Sequence, residues 1–254
     1  MAAQRVPILV YHHIYPDAMI GDSGAGVIGE SDFRRHMKYL AQEHWQVVST
    51  SDLVDWLGGD GSLPERAVAI HLDNGWLDTR TVALPIMQEF GVTGICYVIT
   101  DGLEAASTGK SQAVRTMTEG VVEKPFMNWD QARQLIDAGW EIGAHTATHC
   151  KLADKHTAEG DGAVRWEIES SNTLIEERVG RAPIHFAYPS GSRSMRTDEL
   201  LTPYYRSLRR WNTECPVPWR FTDHQTSRLA VECQNVDLRL PFGDFKRIFD
   251  DALR

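Results

Sequence analysis

The amino-acid sequence predicts one α/β domain built on a parallel sheet. Apolar runs of strand length alternate with helical patterns along the 254 residues, without an internal repeat or a low-complexity linker. Repeated β-α-β order favours parallel strands joined by right-handed crossovers, as in a barrel or a doubly wound sheet. A chain of this length can bury one large core, so we assign residues 1–254 to a single domain.

Local patterns predict the individual elements. Apolar runs predict strands at residues 6–12, 67–72, 94–100, 140–145 and 185–189. Ser31 and Ser51 are the predicted caps of two helices, and apolar residues at helical spacing predict three more at 81–90, 129–139 and 163–179. The polar and irregular stretch 101–127 is typical of an inserted loop.

Composition excludes some classes of partner. The formal charge of −9 and the pI near 5.6 argue against nucleic acid. The four cysteines lack the spacing of a disulfide scaffold and indicate buried or free thiols.

The opening MAAQRVPILVYHHI has too short an apolar run for a signal peptide or a membrane span. As written, the sequence predicts a cytoplasmic protein; if a leader has been removed, the location is periplasmic or extracellular.

Two motifs carry the chemistry. In IHLDNGWLD, residues 70–78, a strand runs into Asp73, and Asn74 then precedes a glycine, a common turn pair. In EIGAHTATHC, His145 and His149 are four residues apart, which predicts two imidazoles on one face of a helical turn. That spacing suits two ligands of a divalent metal, although exposed or capping histidines show it as often. Both motifs follow predicted strands, so both can face one pocket.

With these motifs the chain resembles the polysaccharide deacetylases of carbohydrate esterase family four, the NodB-homology proteins. It looks most like their branch of bacterial poly-N-acetylglucosamine deacetylases. The family patterns T-F-D-D-G, H-[ST]-x-x-H and a Pro-containing aromatic turn are matched by H-L-D-N-G at 71–75, H-T-A-T-H at 145–149 and F-A-Y-P-S-G at 186–191. A strand ending in Tyr-His, typical of the branch, is matched by V-Y-H at 10–12. The resemblance covers roughly residues 6–250 and implies a distorted parallel (β/α) barrel with about seven units.

The resemblance also implies roles for the motif residues. Asp73 matches the general base, and His145 and His149 match two metal ligands. Asn74 occupies the place of the third ligand, an aspartate in the family. The implied metal is divalent, zinc first with cobalt or nickel as alternatives, and weakly bound because Asn74 is neutral. Three outcomes are open: Asn74 ligates weakly, Asp73 ligates instead, or the site holds no metal.

Further positions complete the expected site. His12 inherits the role of general acid, because L-P-F at 240–242 lacks the histidine of the family's C-terminal L-x-H motif. An imidazole that titrates near neutrality suits that role. The backbone N–H of Ser190 is expected to help bind the oxyanion. Tyr188 either lines the acyl pocket or closes a strand end, and Trp211 offers a face for stacking on a sugar ring.

These residues predict a metal-dependent hydrolase that removes the N-acetyl group of an N-acetylhexosamine in a polysaccharide or glycan. A carbohydrate is therefore the expected partner. Two alternatives stay open: a metal-independent amide hydrolase acting on a non-sugar substrate, and a catalytically weakened carbohydrate-binding protein. The sequence predicts no oligomeric state.

Overall fold

The computed structural model describes residues 3–20, 25–117, 119–211 and 219–254. Strands and helices alternate along most of the chain. The strands are β1 (Arg5–Val6), β2 (Ile8–Tyr11), β3 (His13–Tyr15), β4 (Val27–Gly29), β5 (Gln46–Val47), β6 (Ala67–Asn74), β7 (Ile95–Val98), β8 (Ala113–Thr116), β9 (Gly120–Glu123), β10 (Glu141–Ala144), β11 (His185–Ala187), β12 (Ser207–Arg209), β13 (Thr222–Asp223) and β14 (Gln234–Asn235). The helices are α1 (Glu30–Gln42), α2 (Thr50–Gly58), α3 (Leu84–Glu89), α4 (Thr100–Ser107), α5 (Trp129–Asp137), α6 (Leu152–Glu159), α7 (Asp161–Val179), α8 (Met195–Leu201) and α9 (Phe242–Ala252).

A parallel sheet forms the centre of the fold. Seven strands lie in the order β12-β11-β10-β7-β6-β2-β14, and each neighbouring pair is parallel. At the β12 edge, Val231 forms a parallel bridge with Arg209, and the chain then runs on into β14 beside β2 at the other edge. The sheet is therefore curled toward closure. This confirms the predicted distorted parallel barrel with about seven units.

Two predicted helix caps are wrong by two residues each. The residue before α1 is Gly29, and Ser31 already lies in the first helical turn. Ser49 caps α2 by accepting a hydrogen bond from the backbone N–H of Asp52, and Ser51 lies within the helix. A cap must have a non-helical backbone, which neither predicted residue has.

The predicted loop at 101–127 is also wrong, because the segment contains α4 and the antiparallel hairpin β8–β9. The hairpin exposes the apolar side chains of Met117 and Val121 and is anchored through few buried ones. Val114 of β8 is buried, and Phe126 beyond β9 packs in the main core. Such a sparse apolar pattern gives little periodic signal in the sequence.

Polar residues stand at the carboxyl ends of the barrel strands. Asn74 ends β6 and Arg209 ends β12, while His12, His145 and Tyr188 directly follow β2, β10 and β11. Because the strands are parallel, these ends meet at one rim of the barrel. The site is expected there.

Cys96 and Cys150 are free thiols, in agreement with the sequence, Cys233 is buried, and Cys215 lies outside the described residues. Within the described ranges, no helix has both the length and the apolar character that crossing a membrane requires.

Candidate active site

A narrow polar pocket opens at the carboxyl ends of the strands. The site residues predicted from the sequence all line it: His12, Asp73, Asn74, His145, His149, Tyr188, Ser190 and Trp211. Its cavity volume is about 20 Å³, room for roughly one water-sized group. The fold therefore brings together residues from five separate parts of the chain.

The two imidazoles are held in one orientation by backbone carbonyls. Nδ1 of His145 donates to the carbonyl oxygen of Ala187 at 2.7 Å, and Nδ1 of His149 donates to that of Arg115 at 2.8 Å. A carbonyl only accepts, so both Nδ1 atoms carry the proton and both Nε2 atoms keep a free lone pair. Burial lowers the pKa of His145 to about 3 and lowers the pKa of His149, so both rings are neutral at pH 7.

A loop, and not the predicted helical turn, carries these two histidines. Thr146 and His149 have φ of 65° and 64°, outside the helical region. The loop is shaped by Glu167, a fully buried residue of α7. Its carboxylate accepts hydrogen bonds from the backbone N–H groups of Ala147 and Thr148, both at 3.1 Å, and from the Thr148 hydroxyl at 2.8 Å. Glu167 was not predicted as a site residue. The one feature of the sequence that could have identified it is its position as an acidic residue on the buried face of a helix.

Unusual backbone geometry concentrates at this pocket. Among the described residues, five that are not glycine have positive φ, and four belong to the site or to its loop. They are Asn74, Thr146, His149 and Ser190, while His44 lies elsewhere. Such conformations cost free energy and persist at functional sites, where surrounding contacts hold them in place.

Asn74 and the two imidazoles form a donor set that fits a divalent metal. The Asn74 side chain is buried, and its Oδ1 has no hydrogen-bond partner among the described residues. A buried amide oxygen without a partner is costly unless a ligand satisfies it. Two imidazole nitrogens and an amide oxygen are acceptable ligands for zinc or cobalt, although none of the three carries charge. No group of three His, Cys, Asp or Glu side chains among the described residues has the geometry of a metal site.

Asp73 is paired with a buried arginine that the sequence did not reveal. Nη2 of Arg209 lies 2.6 and 2.5 Å from the two carboxylate oxygens of Asp73, and both side chains are buried. Burial alone opposes ionisation, but the guanidinium together with the imidazoles of His145 and His12 outweighs it and lowers the pKa of Asp73 to about 2. Asp73 is thus a carboxylate at neutral pH, and both of its oxygens are already engaged by Arg209.

His12 faces Asp73 from the end of β2. Its Nε2 lies 3.7 Å from Asp73 Oδ2, and its ring meets the Trp211 ring edge to face at 5.8 Å. Burial lowers the pKa of His12 to about 4. The expectation of titration near neutrality is therefore wrong, because desolvation of the imidazolium outweighs the attraction of Asp73.

The remaining predicted residues form the pocket rim. The Tyr188 hydroxyl donates to Asp198 at 2.7 Å, which turns it toward α8, while the residue also lines the pocket. Ser190 follows in a tight turn with φ of 55°. The Nε1 of Trp211 is buried and has no partner among the described residues.

Solved structures with the same architecture include several deacetylases. A de-N-acetylase from Aggregatibacter actinomycetemcomitans has a TM-score of 0.78 at 18% identity, with 96% of this chain and 99% of that chain covered. The deacetylase PplD of Streptococcus pyogenes has a TM-score of 0.77 at 16% identity, with 97% and 99% covered. At these identities the likeness establishes the fold alone.

Sequence comparison relates the chain to longer proteins. YxkH of Bacillus subtilis is 23% identical over 188 residues, which are 74% of this chain and 57% of that protein. Poly-beta-1,6-N-acetyl-D-glucosamine N-deacetylase of Escherichia coli K12 is 24% identical over 137 residues, 54% of this chain and 20% of that protein. The chain thus spans little more than half of the first relative and a fifth of the second.

The polysaccharide deacetylase family model matches residues 60–204, more than half of the chain. That range contains Asp73, Asn74, His145 and His149, whereas His12 lies outside it. The chain belongs to the polysaccharide deacetylase family.

Proposed function

We propose that this protein is a metal-assisted hydrolase that removes the N-acetyl group from N-acetylhexosamine units of a polysaccharide or glycan. One observation supports the proposal most directly: Asp73, two neutral imidazoles and a buried amide oxygen line the same pocket. Arg209 keeps Asp73 ionised. Membership of the family supports it, as does similarity to a poly-beta-1,6-N-acetyl-D-glucosamine N-deacetylase.

The proposed chemistry is hydrolysis of the acetamide by water. His145, His149 and Asn74 would hold the metal, which when bound polarises the acetyl carbonyl and acidifies water. Asp73 accepts a proton from the water as its oxygen attacks the carbonyl carbon. The backbone N–H of Ser190 stabilises the developing oxyanion. The C–N bond then breaks, releasing acetate and an amine.

His12 is the proposed donor of the proton to the leaving nitrogen. Its lowered pKa means that it is neutral at the start, so it must first gain that proton. Asp73 Oδ2 lies 3.7 Å from His12 Nε2, beyond hydrogen-bond distance, so the proton passes through one water or after the two side chains approach. In this scheme the proton taken from water passes from Asp73 to His12 and then to the amine.

The His12→Ala variant tests this role. We expect kcat on the acetamide to fall by about 10²- to 10⁴-fold, because an amine departs only when protonated, while metal content stays unchanged. An activated acetate ester, whose leaving group needs no proton, should lose much less. Equal losses on amide and ester would show that His12 positions substrate and is not the acid.

The Asn74→Asp variant tests the metal site. A carboxylate adds a negative charge beside a dication, so calorimetric titration should show zinc and cobalt binding at least about tenfold more tightly. Added zinc should also raise the Tm more in the variant than in the native protein. Asp tolerates the positive φ of 79° at this position as Asn does.

A matched control adds the same charge away from the pocket. Asn128 caps α5 through its side chain, and Asp caps helices equally well, so Asn128→Asp should leave zinc affinity unchanged. Equal zinc affinities of the native protein and the Asn74→Asp variant would mean that Asn74 does not face the metal.

The proposed function itself is tested by metal analysis beside an acetate-release assay. The substrates are N-acetylglucosamine oligomers, assayed with EDTA and after zinc or cobalt is restored. Acetate release that needs the metal supports the proposal. Amide hydrolysis that persists in EDTA would favour the metal-independent amidase, and oligomer binding without hydrolysis would favour a carbohydrate-binding protein.

A further inference from the structure

The loop that carries the two candidate histidine ligands is held between two helices. The backbone carbonyl of Ala147 accepts a hydrogen bond from the N–H of Asp101, in the first turn of α4, at 3.1 Å. The N–H groups of Ala147 and Thr148 donate to the carboxylate of Glu167 on α7, both at 3.1 Å. The backbone of the loop is therefore fixed from both α4 and α7.

Glu167 makes three hydrogen bonds to the loop, because the Thr148 hydroxyl also donates to it, at 2.8 Å. Glu167 is fully buried, and the Nζ of Lys155, 3.8 Å from its Oε1, also pairs with Glu159. A buried carboxylate is stable only where donors satisfy it, and the loop supplies such donors. Without Glu167, two backbone N–H groups of the loop would lose their acceptor.

This support matters because the backbone of the loop is strained. Thr146 and His149 have φ of 65° and 64°, in the left-handed region that residues other than glycine rarely occupy. Such conformations persist only where surrounding contacts hold them. The ring centroids of His145 and His149 are 5.0 Å apart, and a binding site must hold its groups to within about 0.5 Å. Relaxation of the loop would therefore move His149 out of line with His145.

We propose that Glu167 is a positioning residue for the candidate metal site. Through its hydrogen bonds to Ala147 and Thr148, it keeps the loop in the strained conformation that brings His149 beside His145. Glu167 is not among the residues that line the pocket, so it acts through the loop. This inference rests on the proposed function for the identity of the ligand as a metal ion.

Two substitutions of Glu167 separate its hydrogen bonds from its charge. In Glu167→Gln, the amide oxygen can accept from both N–H groups while the amide nitrogen donates to the Thr148 hydroxyl oxygen. Zinc affinity, measured by calorimetry, should therefore stay near the native value. Glu167→Ala removes all of these bonds and should weaken zinc binding by about 10- to 100-fold, the usual effect of losing the support behind a metal ligand.

Ile168→Ala is the matched control. Ile168 is the next residue of α7 and is buried in the main core, so its truncation should lower the Tm by leaving a cavity. Its side chain cannot form a hydrogen bond to the loop, and zinc affinity should match that of the native protein. An equal loss of zinc affinity in Ile168→Ala and Glu167→Ala would show that general destabilisation is the cause, and would overturn the proposal.

A smaller change keeps the proposal testable even if Glu167→Ala fails to fold. Thr148→Val preserves the shape of the side chain and removes only the hydroxyl bond to Glu167. We expect zinc affinity to fall by about fivefold, the loss of one hydrogen bond. Native zinc affinity in this variant would contradict the proposed role.

NMR of the imidazole protons in the metal-free protein gives a readout that needs no zinc. The Nδ1–H of His149 donates to Arg115 and that of His145 donates to Ala187, so both protons should exchange slowly with water. Glu167→Ala should shift or broaden the His149 signal and leave that of His145 in place, while Glu167→Gln should keep both. An unchanged His149 signal in Glu167→Ala would overturn the proposal. Absence of zinc binding by the native protein would instead refute the metal-assisted function, and the imidazole signals would still test Glu167.

Discussion

The Asp73→Asn variant is expected to lose about 10²- to 10⁴-fold in kcat for acetamide hydrolysis, the usual contribution of a general base. An amide cannot accept the proton of water, and Asp73 is the carboxylate nearest to His12 in the pocket. The rate of acetate release at saturating substrate measures kcat, and the zinc content of both proteins is measured in parallel. Activity within a few-fold of the native protein would require another base.

The single variant carries a structural cost that needs its own control. It leaves the buried Arg209 charge without its partner, which typically costs about 3–5 kcal/mol of unfolding free energy. The double variant Asp73→Asn, Arg209→Met removes both charges and should regain most of that stability, since buried pairs are often replaceable by neutral groups. It should remain inactive. Inactivity in a stable double variant then reports chemistry and not unfolding.

The Arg209→Met variant is the second large expected effect. At pH 7 it should lose about 3–5 kcal/mol of unfolding free energy, because Asp73 becomes an unpaired buried carboxylate. Denaturant titration measures the loss. The matched control is Arg210→Met: Arg210 is 42% exposed and pairs with Glu232, so its loss should cost no more than about 1 kcal/mol.

The pH dependence of this loss follows from the pKa of Asp73. In the native protein that pKa is lowered to about 2, so the pair contributes stability above the unfolded value near 3.8 and loses it as pH falls toward 2. Without Arg209, burial raises the pKa of Asp73 above its unfolded value. The stability deficit of Arg209→Met should therefore be largest at neutral pH and shrink as Asp73 is protonated in acid. A deficit that does not change with pH would mean that the Asp73 charge is not its cause.

The candidate site was predictable where local pattern and strand direction suffice. Asp73 with Asn74, and His145 with His149, each follow an apolar strand, and parallel strands present such residues at one rim. The motifs were sufficient for the prediction that these four residues share a pocket, and the structure places them together. Apolar runs of strand length, alternating with helical patterns, also predicted the sheet, because each such pattern lies within a short stretch of the sequence.

Contacts between distant segments could not be predicted in this way. Arg209 and Asp73 are 136 residues apart, and Glu167 bonds to a loop about 20 residues before it. The carbonyl of Arg115 that orients His149 belongs to a hairpin that the sequence suggested was an inserted loop. A lone arginine or glutamate in a strand or helix pattern has no local feature that identifies its partner.

The sequence by itself determined the α/β architecture and which residue types arrive at the strand ends. Only the tertiary structure decided the protonation of those residues, the direction in which their rings point, and the space beside them. Asp73 is ionised because Arg209 reaches it, and His12 is neutral because it is buried. The charge and the orientation of these side chains depend on desolvation and on partners from distant parts of the chain. The spacing of residues within a motif therefore predicts neither the charge nor the orientation.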